Sequence, residues 1–147
     1  MANLSEVKRT SLVKPTLHTY FHIDFDWWQQ NDRDWRVYLR NLLCPEHQLV
    51  FANVDITDQV DWVDPETGEV KRVDGLQNIL ITHCAKQPAF ITQQTPLVDS
   101  VFRIFLSNDN LPLTPEQLSE ELGRDSYLIL RTLSGIRIYK GIRPCIE

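Results

Sequence analysis

The sequence predicts an α+β fold: a small antiparallel-sheet unit with two helices, followed by three further helices and a basic strand. Three observations carry this. Apolar and polar residues alternate from Thr19 to Trp27, the period of a half-buried strand. Asp64-Pro65-Glu66-Thr67-Gly68-Glu69 separates two β-prone runs, Trp62-Val63 and Val70 to Val73, as a hairpin turn does. From residue 95 onward, apolar residues recur at three-and-four spacing between proline starts and glycine stops, the mark of short packed helices.

The elements follow in order. Residues 1–16 are polar and end in Lys14-Pro15, and read as a flexible arm. In the first strand Phe21, Ile23, Phe25 and Trp27 face a core, while Tyr20, His22, Asp24 and Asp26 line the other face. Trp28 falls on the polar side of that register and is expected to be exposed, where a tryptophan marks an interface. Asn31 or Asp32 caps a helix carrying Trp35, Tyr38, Leu39, Leu42 and Leu43 on one stripe, ended by Cys44-Pro45. Leu49-Val50-Phe51 reads as a strand, and the hairpin follows. Asp74, with Gln77 three residues on, caps a second helix whose stripe is Leu76, Ile79, Leu80, His83 and Cys84. These elements make a domain over residues 1–92, with a second over residues 93–147. The loop from Lys86 to Gln94 joins them.

In the second domain, Thr95-Pro96-Leu97 opens a helix so apolar (Val98, Val101, Phe102, Ile104, Phe105, Leu106) that it is expected to be the central packing helix. Thr114-Pro115-Glu116-Gln117 opens the next, with Thr114 as cap, Pro115 in the first turn and Gln117 closing a capping box. Leu118 and Leu122 are its buried pair, and Gly123 supplies the turn. A third helix starts at Arg124 or Asp125, buries Ile129, Leu130 and Leu133, and ends at Gly135. Its other face holds Tyr127, Arg131 and Ser134 at i, i+4 and i+7, with Arg124 just before them. Ile136 to Arg143 alternates, which predicts a strand with Ile136, Ile138 and Ile142 inward and Arg137, Tyr139 and Lys140 outward.

The stretch SEELGRDSYLILRTLSG, with small Ser119 in one helix, a leucine before the glycine and a polar start to the next helix, resembles the winged helix-turn-helix domains of bacterial DNA-binding proteins. The resemblance is one of pattern and covers residues 93–147. It departs from the common form at Arg124, where an apolar residue is usual. It implies that the second helix of the motif enters the major groove of double-stranded DNA, with Arg124, Tyr127, Arg131 and Ser134 at base edges or phosphates. Arg137, Tyr139, Lys140 and Arg143 would then hold phosphates from the wing. A transcriptional regulator is the function this implies. The other reading is an adaptor, a subunit of a larger assembly that uses the same scaffold and a Trp-rich face for protein contacts.

Charge bears on the choice. The 147 residues carry a net charge of −5, which counts against a protein that coats DNA. Its distribution is uneven: residues 1–92 hold nine Lys and Arg against thirteen Asp and Glu, whereas residues 124–147 hold five against two. Few basic residues mean modest affinity per protomer, so a DNA role calls for a homo-oligomer or a larger assembly. No apolar run approaches membrane length and the N-terminus lacks an apolar signal core, so the expectation is a cytoplasmic protein with no membrane partner.

Three constellations could carry other chemistry. His22, Asp24 and Asp26 on one strand face could hold a divalent ion in a nuclease site; the plainer reading is a solvated polar face. Cys44-x-x-His47 has zinc-ligand spacing, and Cys84 with His83 beside it could complete a site. A second paired half-site is missing and cysteine packs readily as a small apolar residue, so the expectation is core packing without a cofactor. Cys145 near the C-terminus stands apart. The acids from Asp55 to Asp74 read as a solvated surface, or equally as a docking face for a basic partner. No nucleophile motif or phosphate loop is present, and the chain has five glycines in all, so the protein is not expected to be an enzyme.

Overall fold

The computed structural model describes residues 14–50 and 59–145. Among the described residues the architecture is α+β: seven helices and two small antiparallel sheets. In chain order these are β1 (Phe21–Ile23), α1 (Phe25–Asn31), α2 (Trp35–Asn41), α3 (Pro45–Val50), β2 (Gln59–Val63), β3 (Val70–Asp74), α4 (Gly75–Thr82), α5 (Leu97–Ser107), α6 (Pro115–Leu122), α7 (Ser126–Leu133) and β4 (Ile142–Pro144). Two 3₁₀ turns, Cys84–Lys86 and Pro88–Phe90, link α4 to the region before α5. None of these helices is long and apolar enough to cross a membrane. Residues 1–13 of the expected arm, Phe51 of the expected strand, Asp55 and Asp58 lie outside the described residues.

The expected hairpin forms with Val63 opposite Val70, closed by the Asp64 carboxylate accepting from the Glu66 N–H at 2.8 Å. Asp61, Glu66 and Glu69 are exposed along it. Asp74 caps α4 as expected, accepting from the Gln77 N–H at 3.0 Å, and it also pairs with Arg36 of α2.

The first strand differs from its expectation. It ends at Ile23, and Asp24 turns the chain into a helix by accepting the Trp27 N–H at 3.0 Å. An N-cap carboxylate satisfies a donor that an alternating pattern does not provide for. The change from a period of two to a period of 3.6 moves Trp28 from the solvent face to the core, where it is 1% exposed. Its ring centroid lies 5.3 Å from Phe102, 5.9 Å from Tyr38, 6.1 Å from Trp35 and 6.2 Å from Phe25. Its indole N–H donates to Asp32 Oδ2 at 3.0 Å, which satisfies the one polar atom it buries. The exposed-tryptophan expectation is therefore corrected, and with it the basis for a Trp-rich contact face at this residue.

The partner of β1 is also not the one expected. The hairpin does not extend onto it. Instead β4 pairs with β1, setting Phe21 opposite Pro144, His22 opposite Arg143 and Ile23 opposite Ile142. On the other edge Phe21 exchanges backbone hydrogen bonds with Leu113 at 2.8 and 3.1 Å. The Asn110 side chain continues that edge, accepting from Ile23 N–H at 2.9 Å and donating to Ile23 C=O at 2.8 Å. C-terminal residues thus flank β1 on both edges, β4 on one and Asn110 and Leu113 on the other.

Two more local expectations change. Leu49 and Val50 close the helix α3 rather than opening a strand, because Pro45 in its first turn favours helix there. The segment from Ile136 to Tyr139 is not a strand; only Ile142–Pro144 is. Ile136 is fully exposed and Ile138 is exposed, so of the three isoleucines Ile142 alone is buried.

The three expected helices of the C-terminal segment form, although Pro96 rather than Thr95 is the N-cap of α5 and the Thr95 hydroxyl accepts from the Thr92 N–H at 3.0 Å instead. Val101, Phe102, Phe105 and Leu106 bury α5 at the centre of a core that runs from Phe21 to Ile142. The Thr114–Gln117 capping box is complete, with contacts of 2.9 and 3.2 Å. Gly123 ends α6 in the left-handed region at φ +64°, and Asp125 caps α7 by accepting the Leu128 N–H at 2.9 Å.

Candidate nucleic-acid interface and the Cys–His cluster

The turn between α6 and α7 is tied across itself, since the Ser119 hydroxyl donates to the Arg124 carbonyl at 2.5 Å. That bond gives the small residue in α6 a physical role and holds Arg124 half-buried at the turn. Ile129 and Leu133 anchor α7 in the core, leaving Tyr127 and Arg131 on its outer face and Ser134 exposed at its C-cap. Tyr127 is 64% exposed. These three residues, with Leu130, Lys14 and Pro15, line an open cleft of about 480 Å³. Lys14 and Pro15 gave no sign in the sequence of belonging there, because nothing local specifies where a polar arm lies.

The residues after α7 divide differently. Arg137 is exposed, with its guanidinium 5.5 Å from the centroid of the half-buried Tyr139 ring. Lys140 sits at φ +50°, its ammonium 4.4 Å from the Tyr38 ring. Arg143 pairs with Asp24 at 3.1 Å and rests over the Trp27 ring at 5.3 Å. Lys140 and Arg143 thus face groups of α1 and α2, and their charge is directed into the fold. The eight expected contact residues do not form one surface: Tyr127, Arg131 and Ser134 are gathered along α7 and its C-cap, and the last two cations are held elsewhere.

The possible ion site at His22, Asp24 and Asp26 does not assemble. Asp24 is used twice, as helix cap and as partner of Arg143, and Asp26 is carried away on α1.

A different group of side chains does converge. Cys44 lies between α2 and α3, His47 is on α3, and His83 and Cys84 follow α4. The packing of α2 against α4 brings them together. Cys44 Sγ is 3.1 Å from His47 Nδ1, Cys84 Sγ is 3.5 Å from the same nitrogen, and the two sulfurs are 3.2 Å apart. The His47 and His83 rings meet edge to face at 4.5 Å, and one ligand atom each of Cys44, His47 and His83 lie within 4.8 Å of one another. Cys84 is buried and the other three are half-buried. Burial pushes the Cys84 thiol up to about 11. The sequence showed the right residues but not their convergence, since the two halves are some 40 positions apart. Glu46 and Gln87 stand at the rim, 3.9 and 3.5 Å from His83 Nε2.

No family model, no curated protein and no solved structure matches this chain.

Proposed function

We propose that this is a DNA-binding protein that presents the outer face of α7 to the major groove of double-stranded DNA. The observation that carries the reading is the exposed stripe Tyr127, Arg131 and Ser134 on the second helix of a glycine-turned pair. Arg131 is the residue suited to a base edge, because its fork matches the two acceptors of guanine. Tyr127 and Ser134 are suited to phosphate oxygens. Arg124, Arg137 and Lys14 supply the remaining positive charge in this reading. Lys140 and Arg143 take no part in it, since they serve the fold; Tyr139 supports Arg137.

The reading sets a ceiling on electrostatics. With Lys14, Arg124, Arg131 and Arg137 as the cations, log K falls with log salt at a slope of about −3.6 per protomer at most, from roughly 0.9 per neutralised phosphate. Such a protein binds weakly alone, so two copies on paired half-sites are part of the proposal. The test is binding of the purified protein to a random-sequence duplex pool at low ionic strength. Enrichment of a recurring motif with salt-dependent affinity supports the reading; no salt-dependent binding to any duplex rejects it.

A second reading, a protein adaptor, is favoured by one observation. Ile136 is fully exposed, and Leu128 and Ile138 are exposed nearby in sequence. Exposed aliphatic side chains on and just after α7 suit a protein contact better than a phosphate contact. A protein that shows no salt-dependent duplex binding but forms a partner complex that Ile136→Asp abolishes supports this reading over the first.

A further inference from the structure

We propose that Cys44, His47, His83 and Cys84 form a zinc site that clamps the α2–α3 corner to the end of α4. The inference is independent of the DNA-binding reading.

The donor set is the first argument. Two thiols and two imidazoles are the ligands of a closed, four-coordinate structural zinc centre, and hard cations such as magnesium or calcium prefer oxygen. Geometry is the second. With Zn–S near 2.3 Å and Zn–N near 2.0 to 2.1 Å, tetrahedral neighbours lie roughly 3.3 to 3.8 Å apart. The Cys84–His47 distance of 3.5 Å falls in that range. The Cys44–His47 and Cys44–Cys84 distances, 3.1 and 3.2 Å, need to open by about half an ångström, which side-chain rotation provides. The sulfurs are also well beyond the ~2.05 Å of a disulfide.

The third argument is position. Cys84 starts a 3₁₀ turn directly after the His83 cap of α4, and Cys44 directly precedes Pro45 of α3, so each pair of ligands sits where a helix has just ended or is about to start. A metal there joins the α2–α3 corner to the end of α4 across a sequence gap of 40 residues. Three of the ligand atoms, from Cys44, His47 and His83, already lie within 4.8 Å of one another, and Cys84, beside Cys44 and His47, closes the set by turning its sulfur toward the same point; with four protein ligands no coordination position is left for water, so the role is structural. On binding, two S–H bonds break, two Zn–S bonds form, and two protons pass to solvent; the two thiolates balance the charge of the ion. Glu46 adds negative charge at the rim, beside His83.

The experiment is metal analysis of the reduced full-length protein after exhaustive gel filtration, followed by Co²⁺ titration of the metal-stripped chain. The result expected is about one zinc per chain and a Co²⁺ spectrum of tetrahedral thiolate coordination, with loss of both in Cys84→Ser. Because Cys84→Ser could unfold the protein, His47→Cys is the second variant: it keeps four soft donors and is expected to retain the metal, whereas His47→Ala loses it. The proposal is overturned if the reduced wild-type chain takes up neither zinc nor Co²⁺. It is equally overturned if metal content is unchanged in Cys84→Ser, or if the mass shows a Cys44–Cys84 disulfide whose reduction yields a chain that still binds no metal.

Discussion

Gly141→Ala tests whether the C-terminal segment is docked on the N-terminal strand and helix. Gly141 has φ +76°, a conformation that costs an L-residue about 1–2 kcal/mol. A Cβ built on it would lie 2.7 Å from Trp28 Cβ and 2.9 Å from the Asp24 carbonyl oxygen. Neither neighbour is the free end of a flexible chain. The Asp24 N–H also donates to the Gly141 carbonyl at 2.8 Å, so the two backbones cannot separate without losing that bond. Overpacking of this kind costs about 1–3 kcal/mol more, giving a total of roughly 2–5 kcal/mol. At about 2–4 °C per kcal/mol for a chain of this size, Tm falls by roughly 4–20 °C. Gly123→Ala is the internal control: its φ of +64° carries the same backbone strain, but nothing lies within 4 Å of the added carbon. It is expected to cost about 1–2 kcal/mol. Urea unfolding followed by tryptophan fluorescence reads both, because Trp28 is buried at the contact. If Gly141→Ala proves no more costly than Gly123→Ala, the close approach of the two segments is refuted.

Tyr38 gives a pH dependence. Burial raises its pKa above the ordinary phenol value, and the Asp99 carboxylate, accepting its hydroxyl at 3.1 Å, adds to the shift; Arg103 opposes it. Lys140 lies over the ring as well. A phenol whose folded pKa is raised contributes stability in full below its unfolded pKa of about 10, and loses it as pH rises above that. Stability measured by urea unfolding is expected to fall above pH ~10 in the wild type and to fall less in Tyr38→Phe; identical profiles refute the assignment. For the Asp24–Arg143 pair, each side chain about a third exposed, a double-mutant cycle with Asp24→Asn and Arg143→Met is expected to give a coupling of about 1 kcal/mol that shrinks with added salt. A coupling of zero at low salt would place Arg143 free for another partner.

What the sequence made legible was local. The Asp64–Glu69 turn, the Asp74 cap, the Thr114–Gln117 box and the Gly123 stop each depend on residues within five positions of one another, and each forms. The β1–β4 pairing joins residues about 120 positions apart, and neither strand advertises its partner: three alternating residues fit any open edge. Near Trp28 two local signals competed. The alternation from Thr19 to Trp27 argued for a strand, while Asp24 could cap a helix. The cap prevailed because the helix buries Trp28 against Tyr38 and Phe102, a gain visible only in three dimensions. The candidate site divides in the same way. The stripe on α7 follows from helical periodicity and lies where the spacing put it. The engagement of Lys140 and Arg143 depends on α1 and α2 and could not be read from residues 136–143. Likewise Cys44 and His47 were visible as a half-site, but their meeting with His83 and Cys84 depends on the packing of α2 against α4.

The most direct test of the functional reading compares two arginines that sequence position alone would treat alike. Affinity for an enriched duplex is measured across a salt series for the wild type, Arg131→Ala and Arg143→Ala, each checked to be folded. The prediction is that Arg131→Ala weakens binding and flattens the salt slope by about 0.9 per protomer, while Arg143→Ala leaves the slope unchanged. A slope that is unaltered by Arg131→Ala, or that falls in Arg143→Ala alone, contradicts the placement of α7 in the groove.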